Sequence, residues 1–257
     1  MHFTSFKRGL FCAFAAALTI GAAYAADPLH IAVEPMFAPF EIRNAHTGEL
    51  EGYEIDICKE ISKRMGRELA FVTYKFDAIL PAVMTGAVDF AASGFSITEE
   101  RKKKVAFTAP HYRSGIAVIV RKGEGEGIKS FDDLRGRKVA VQLGSISHDR
   151  AKSIDGIKLT TFDTVPEAFL DLQAGNVDAV INSLPATGYM LKTKPALSKH
   201  LELLPVSELS SGMALVTSKE NKALLAELDK NLAAMKADGT VEALQVKWFG
   251  QAQKLDY

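Results

Sequence analysis

The run Ser93-Gly94-Phe95-Ser96-Ile97-Thr98-Glu99-Glu100-Arg101 places two serine hydroxyls, a flexible glycine and a guanidinium at the end of an apolar stretch. Such a set suits the capture of a carboxylate. Thr98 followed by two glutamates reads as a helix N-cap, which turns free backbone N–H groups and the positive end of the helix dipole toward Ser93 and Ser96. Arg101 then closes a bidentate clamp on an anion. Taken alone, Arg101 fits better as the start of the solvated basic run that continues through Lys102, Lys103 and Lys104. The rest of the chain decides between the two.

Short apolar runs alternate with helical periodicity from residue 29 onward, the pattern of α/β layers with largely parallel sheets. A strand at 29–33 precedes Ile57, Cys58, Ile61 and Met65 at helical spacing, stopped by Gly66. A strand at 69–74, a helix through Ile79, Leu80, Val83 and Met84 closed by Gly86, and a strand at 88–92 complete one βαβαβ unit. The phrase then returns. Lys138-Val139-Ala140-Val141-Gln142 matches His30-Ile31-Ala32-Val33-Glu34, and Ala174-Gly175-Asn176-Val177-Asp178-Ala179-Val180-Ile181 matches Thr85-Gly86-Ala87-Val88-Asp89-Phe90-Ala91-Ala92. Two lobes of like architecture follow. Ligands of open α/β sheets sit beyond the carboxyl ends of the strands, which singles out positions 34–37, 93–96, 142–147 and 182–183. Asp89 and Asp178 hold equivalent places and read as structural residues at strand entries. Leu224, Leu225, Leu228, Leu232 and Met235 form an amphipathic helix closed near Gly239, with a further helical segment at 241–248 that packs back on the first lobe.

The first residues do not belong to this fold. Lys7 and Arg8 precede an apolar run at 10–23 and the small-residue pattern Ala23-Tyr24-Ala25, a secretory signal peptide (1–25) cut after Ala25. Only Cys58 then remains in the mature chain, so no intrachain disulfide forms. The 31 basic residues less Lys7 and Arg8, set against 31 acidic ones, leave a balance of −2, which argues against a nucleic-acid partner. No later stretch is long and uncharged enough to span a bilayer, and the periplasm is the expected address.

With these elements placed, 29–250 resembles the extracellular solute-binding proteins of polar amino-acid ABC importers, the family of the histidine, glutamine and arginine receptors. The resemblance rests on Glu34-Pro35-Met36-Phe37-Ala38-Pro39-Phe40, Gly52-Tyr53-Glu54-Ile55-Asp56-Ile57, the Ser93 to Arg101 run, Val105-Ala106-Phe107-Thr108-Ala109-Pro110, Lys236-Ala237-Asp238-Gly239-Thr240 and Lys247-Trp248-Phe249-Gly250. It implies a type II periplasmic binding fold: a discontinuous first lobe of 27–113 and 213–257, a second lobe of 114–212, and two hinge crossings near 113–116 and 210–214. It implies a monomeric receptor without cofactor or metal, serving an inner-membrane ABC permease, although no residue pattern fixes the oligomeric state. Arg101 then holds the ligand α-carboxylate with Ser96 and the backbone at 145–147, Ser145, Ile146 and Ser147. Ser93, Gly94, Gln142, Asn182 and Ser183 complete the cleft, and Phe37 and Phe76 wall the ligand side chain. Phe40 and Phe71 read as core. Glu34 stands where many members carry an Asp that reads the far end of the ligand, favouring a cationic or amide-bearing tail.

Two departures bear on the ligand. The second lobe of such proteins usually offers Asp to the ligand α-ammonium, and here that position is Ser183, preceded by Asn182. A hydroxyl does not compensate a buried ammonium as a carboxylate does. The usual Gly-Thr-Thr is Gly144-Ser145-Ile146. N-substituted amino acids, opine-like conjugates and carboxylates with a basic tail therefore stand beside arginine, lysine and ornithine as expected ligands.

The principal alternative is a cyclohexadienyl dehydratase-like enzyme on the same scaffold, which needs a cleft acid to assist loss of hydroxide and carbon dioxide; Glu34 is the one carboxylate in place. No Ser-His-Asp order, nucleophile elbow or phosphate-cradling loop is present. His2, His30, His46, His111, His148 and His200 lack metal-ligand spacing, and only His148, beside Ser147, falls near the cleft. A receptor's sensor lobe would precede a membrane helix, and none is read in the chain. Capture of phosphate or sulfate alone would leave Phe37 and Phe76 without a role.

Overall fold

The computed structural model describes His2 and residues 27–253. The leader and its cleavage point therefore lie, His2 apart, outside the described residues. The first group of elements is β1 (Leu29–Val33), β2 (Met36–Phe37), β3 (Glu41–Arg43), β4 (Leu50–Glu51), α1 (Tyr53–Met65), β5 (Leu69–Thr73), α2 (Phe76–Thr85), β6 (Phe90–Ala91), α3 (Glu99–Lys102) and β7 (Ala106–Phe107). The second is β8 (Gly115–Arg121), a 3-10 turn (Phe131–Leu134), β9 (Lys138–Gln142), α4 (Ile146–Lys152), β10 (Lys158–Phe162), α5 (Val165–Ala174), β11 (Ala179–Ser183), α6 (Leu184–Thr193), α7 (Pro195–Ser198) and β12 (Leu201–Leu209). β13 (Val216–Thr217), α8 (Lys222–Ala237) and α9 (Thr240–Phe249) close the chain.

Local chemistry sets these boundaries. α1 buries Ile57, Cys58 and Ile61 on one face and ends at Gly66 in the left-handed region at φ 63°, where a side chain would be strained. α5 begins at a capping box in which Thr164 and Glu167 satisfy each other's backbone N–H groups.

The repeat read in the sequence is a repeat of topology. The first sheet runs β5-β1-β6-β13-β7 and the second β10-β9-β11-β8-β12. β1 pairs in parallel with β5 and β6, as β9 does with β10 and β11. Asp89 and Asp178 play matching parts: each carboxylate accepts the backbone N–H that opens the neighbouring strand, His30 at 2.7 Å and Lys138 at 2.8 Å. Each sheet is mixed rather than parallel throughout, because one strand in each runs against both of its neighbours: β13 against β6 and β7, β8 against β11 and β12. The strand expected at 88–92 shortens to Phe90–Ala91, since its outer partner β13 is only two residues long. A small third sheet, β2-β3-β4, carries Phe37 and Glu41 and has no counterpart in the sequence reading.

Each sheet builds its own core. Ile31, Val33, Phe40, Ile57 and Ile61 pack with Leu224, Leu228, Leu232 and Met235 of α8, which brings the C-terminal helices back onto the first sheet. Burial of each such side chain contributes roughly 1.5–3 kcal/mol. Phe71 packs half-buried on this core, and Phe40 is fully buried. The chain leaves the first sheet between β7 and β8 and returns between β12 and β13. The crossings touch: Ser210 N–H donates to the Ser114 carbonyl at 3.0 Å, and a Cβ on Gly115 would lie 2.5 Å from the Glu208 carbonyl oxygen.

Candidate functional site

The loops after β1, β6, β9 and β11 converge on a cavity between the two sheets. Its walls include Phe37, Phe76, Gly94, Ser96 and Arg101 from one side, and Gln142, Ser145, Ile146, Ser147, Asn182 and Ser183 from the other. The walls close to about 30 Å³ of free volume, roughly the room of a single water.

Arg101 is separated from the basic run it opens. Lys102 and Lys103 are exposed and pair with Glu99 and Glu100, whereas Arg101 is 7% exposed. Thr98 caps α3 by accepting the Arg101 N–H, as expected, but α3 is one turn long and adds little dipole. The guanidinium lies 5.2 Å from the Phe95 ring centroid and 5.9 Å from that of Phe76. It donates to the Ser96 carbonyl at 2.9 Å and, across the cleft, to the Gly144 carbonyl at 3.0 Å. No carboxylate among the described residues forms an ion pair with it. Burial pulls its pKa down to about 10, partly opposed by the charge of Asp149, so it stays cationic at neutral pH. A buried cation bonded only to carbonyls retains strong demand for an anion.

The other expected residues divide into walls and supports. Ser93 is fully buried but does not line the cavity; its Oγ accepts the Glu34 N–H at 2.9 Å. Glu34 likewise stands behind the wall, 3% exposed, where its Oε2 accepts a long 3.4 Å hydrogen bond from Gln142 Nε2. Burial raises its carboxyl from 4.5 to about 7; the Gln142 hydrogen bond opposes this, and Glu167 adds to it. Gln142 also donates to the Asp163 carbonyl at 3.0 Å. Ser145 caps α4, accepting the His148 N–H at 3.1 Å and donating to the Gln142 carbonyl at 2.8 Å. Ser183 caps α6, and Asn182 Nδ2 donates to Thr187 Oγ1 at 3.0 Å. Phe76 stacks on Phe95 at 4.6 Å, and Phe37 on Phe40 at 5.2 Å, so each ring is braced by another. His148 accepts the Gly144 N–H at 3.4 Å and is not a wall residue.

Two sets of residues escaped the sequence reading. Ser114, Gly115, Ile116 and Met213 line the cavity from the crossings; their only signal was their place at the hinge. Beneath the Ser93–Ser96 loop, Glu41, Glu54 and His111 are fully buried together, with His111 Nε2 3.2 Å from Glu54 Oε1. Glu54 Oε2 accepts the Gly94 N–H at 2.8 Å and so fixes the loop. Burial, reinforced by the Glu54 charge, holds the Glu41 carboxyl well above the usual carboxylate range. Among the described residues no cluster of His, Cys, Asp and Glu is arranged to hold a metal ion, and no helix is long and apolar enough to cross a membrane.

Two similar layers with an anion-seeking cleft between them define a ligand-capturing protein of the two-lobed α/β kind. Residues 29–251 match the model of the bacterial extracellular solute-binding proteins, family 3, and the chain belongs to that family. It is 33% identical over 248 residues to the Escherichia coli (strain K12) ABC transporter arginine-binding protein 1, covering 95% of this chain and 100% of the relative. An ancestral arginine-binding protein bound to arginine has a similar solved structure, with a TM-score of 0.82 at 36% identity over 88% of this chain and 100% of that one. The ancestral amino acid-binding protein AncCDT-1, a precursor of cyclohexadienyl dehydratase, gives a TM-score of 0.79 at 34% identity over 86% of this chain and 95% of that one.

Proposed function

We propose that the protein captures a small amino-acid-like carboxylate with a cationic tail, such as arginine, lysine, ornithine or an opine, and delivers it from the periplasm to an inner-membrane ABC permease. The observation that carries this is Arg101, a buried cation facing the cleft and bonded only to carbonyl oxygens. It takes the ligand carboxylate, with Ser96 and the start of α4 beside it. The tail runs between Phe37 and Phe76 toward Glu34. Residues 27–113 with 213–257, and 114–212, are the two bodies that close on it, acting as a monomer and without cofactor. The arginine named for the curated relative and for the ancestral structure supports the cationic tail.

The receptor reading stands ahead of a dehydratase because AncCDT-1, the neighbour connected with that enzyme, is itself described as an amino acid-binding protein. The test is a thermal-shift screen of the mature protein, stripped of co-purified ligand, against free and N-substituted amino acids, opines, guanidines and inorganic anions. A ligand that binds only the native state raises Tm. A selective rise with a cationic carboxylate is expected; a rise with phosphate or sulfate alone would overturn the assignment.

A further inference from the structure

A free amino acid brings an α-ammonium as well as a carboxylate, and the cleft offers no carboxylate among its wall residues to receive it. An ammonium presents three donors and must find oxygen acceptors when desolvated. Most wall hydroxyls and amides near Arg101 have commitments: Ser145 Oγ to the His148 N–H and the Gln142 carbonyl, Ser183 Oγ to the Ala186 N–H, Asn182 Nδ2 to Thr187. Ser114 differs. It is 4% exposed and is the one cavity-lining side chain whose polar atom is both fully buried and without a hydrogen-bond partner among the described residues.

Its position is set by the strand pairing. Ile116 of β8 stands opposite Ser183 of β11 in the antiparallel register. Ser114 lies immediately before β8, and it lines the cavity together with Gly115 and Ile116. The Ser114 carbonyl is occupied by the Ser210 N–H, which holds the residue at the crossing and leaves Oγ as its free acceptor. A buried hydroxyl with no partner is costly to keep.

We propose that Ser114 Oγ accepts a hydrogen bond from the ligand's α-ammonium, making it a specificity-determining residue that works beside Ser183 in place of a carboxylate. The assignment rests on the reading that the ligand is an amino-acid-like carboxylate with a cationic tail. It deepens that reading, because a neutral acceptor at the ammonium makes discrimination depend on one hydroxyl placed by the hinge.

Calorimetric titration of the mature wild-type protein, Ser114→Ala and Ser114→Thr with L-arginine and with 5-guanidinopentanoate, which is arginine lacking its α-amino group, tests it. Ser114→Ala should weaken arginine binding about tenfold or more while moving the deaminated analogue less than about twofold. Ser114→Thr, which keeps the oxygen, should hold arginine within a few fold. Equal losses on both ligands, no loss on arginine, or equal failure of the Thr variant would overturn the role. A wild type that binds the analogue but not arginine would also overturn it while leaving the carboxylate-and-tail reading intact. A wild type that binds neither would rule out arginine as the ligand, and overturn the inference with it, before any variant is considered.

Discussion

At the scale of single residues the cleft is organised by charges held out of water. Arg101 keeps its charge despite burial because Ser96 and Gly144 carbonyls solvate it and two rings face it, an arrangement that favours an incoming anion over the empty state. Arg101→Met should therefore weaken ligand binding by roughly two to four orders of magnitude, the loss of a buried charge-assisted contact of about 3–5 kcal/mol, while leaving the ligand-free melting temperature unchanged or higher. Unaltered affinity in calorimetry would remove the clamp. Glu34 supplies a pH signature of the opposite charge. Its folded pKa of about 7 lies above the ordinary 4.5, so the folded state binds the proton more tightly. The associated stability is fully present below about pH 4.5 and is lost as pH rises through 7, about 3 kcal/mol at most. A cationic tail beside Glu34 prefers the ionised form, so its affinity should rise with pH over the same window, about tenfold between pH 6 and 8. Melting curves and titrations should thus slope in opposite directions, and Glu34→Gln should flatten both. A cationic ligand whose affinity is level across that range would separate Glu34 from the tail.

At the scale of elements, the site is a set of loops that follow strands in two copies of one unit, and this part of the molecule was legible. The strand phrases, the glycine stops at Gly86 and Gly175 and the aspartates at strand entries are local signals, and each repeats at matching places in both copies, whereas Gly66 has no such counterpart because α4 ends at Ser153. What was not legible depends on contacts between elements distant in sequence. The small sheet β2-β3-β4 is too short to show periodicity. The support beneath the 93–96 loop comes from Glu54 on α1 and His111 before β8, and nothing in their neighbourhoods announces that they meet. Ser93 was legible as a polar residue at a strand end, yet its hydroxyl turns to the Glu34 backbone rather than to the cleft, a choice settled by packing. The same loop gives a test. Gly94 has φ 61°, and a Cβ there would lie 2.5 Å from Phe37 Cε1. Gly94→Ala should destabilise the protein by roughly 1–3 kcal/mol and displace Phe37, weakening ligands with long tails more than short ones. A fully stable variant with unchanged ligand preference would show that the loop and the ring yield without cost.

At the scale of the whole molecule the cleft is closed, and the closure is held by few direct links. Arg101 reaches the Gly144 carbonyl, Gln142 reaches Glu34, Lys75 Nζ meets Asp163 Oδ2 at 2.6 Å, and Phe37 packs on cores of both sheets. With about 30 Å³ between the walls, the cleft has no room for a ligand the size of an amino acid unless the two proposed bodies part, and the paired crossings at 113–116 and 210–214 are where such a motion would turn. The links differ in what they do. Arg101 lines the cavity and Glu34 backs its wall through Gln142, so on the proposed reading ligand binding and closure are coupled through them. The Lys75 and Asp163 side chains are 68% and 46% exposed, well away from water exclusion, and such a pair is worth at most about 1 kcal/mol and is screened by salt. Lys75→Ala should consequently cost no more than about fivefold in affinity, and the difference from wild type should fade by about 1 M salt. The radius of gyration in solution scattering should still fall when ligand is added, because the site residues rather than the surface pair drive closing. A loss of a hundredfold or more, persisting at high salt, would mean that the rim carries the closing energy and that the cleft chemistry supplies selectivity alone.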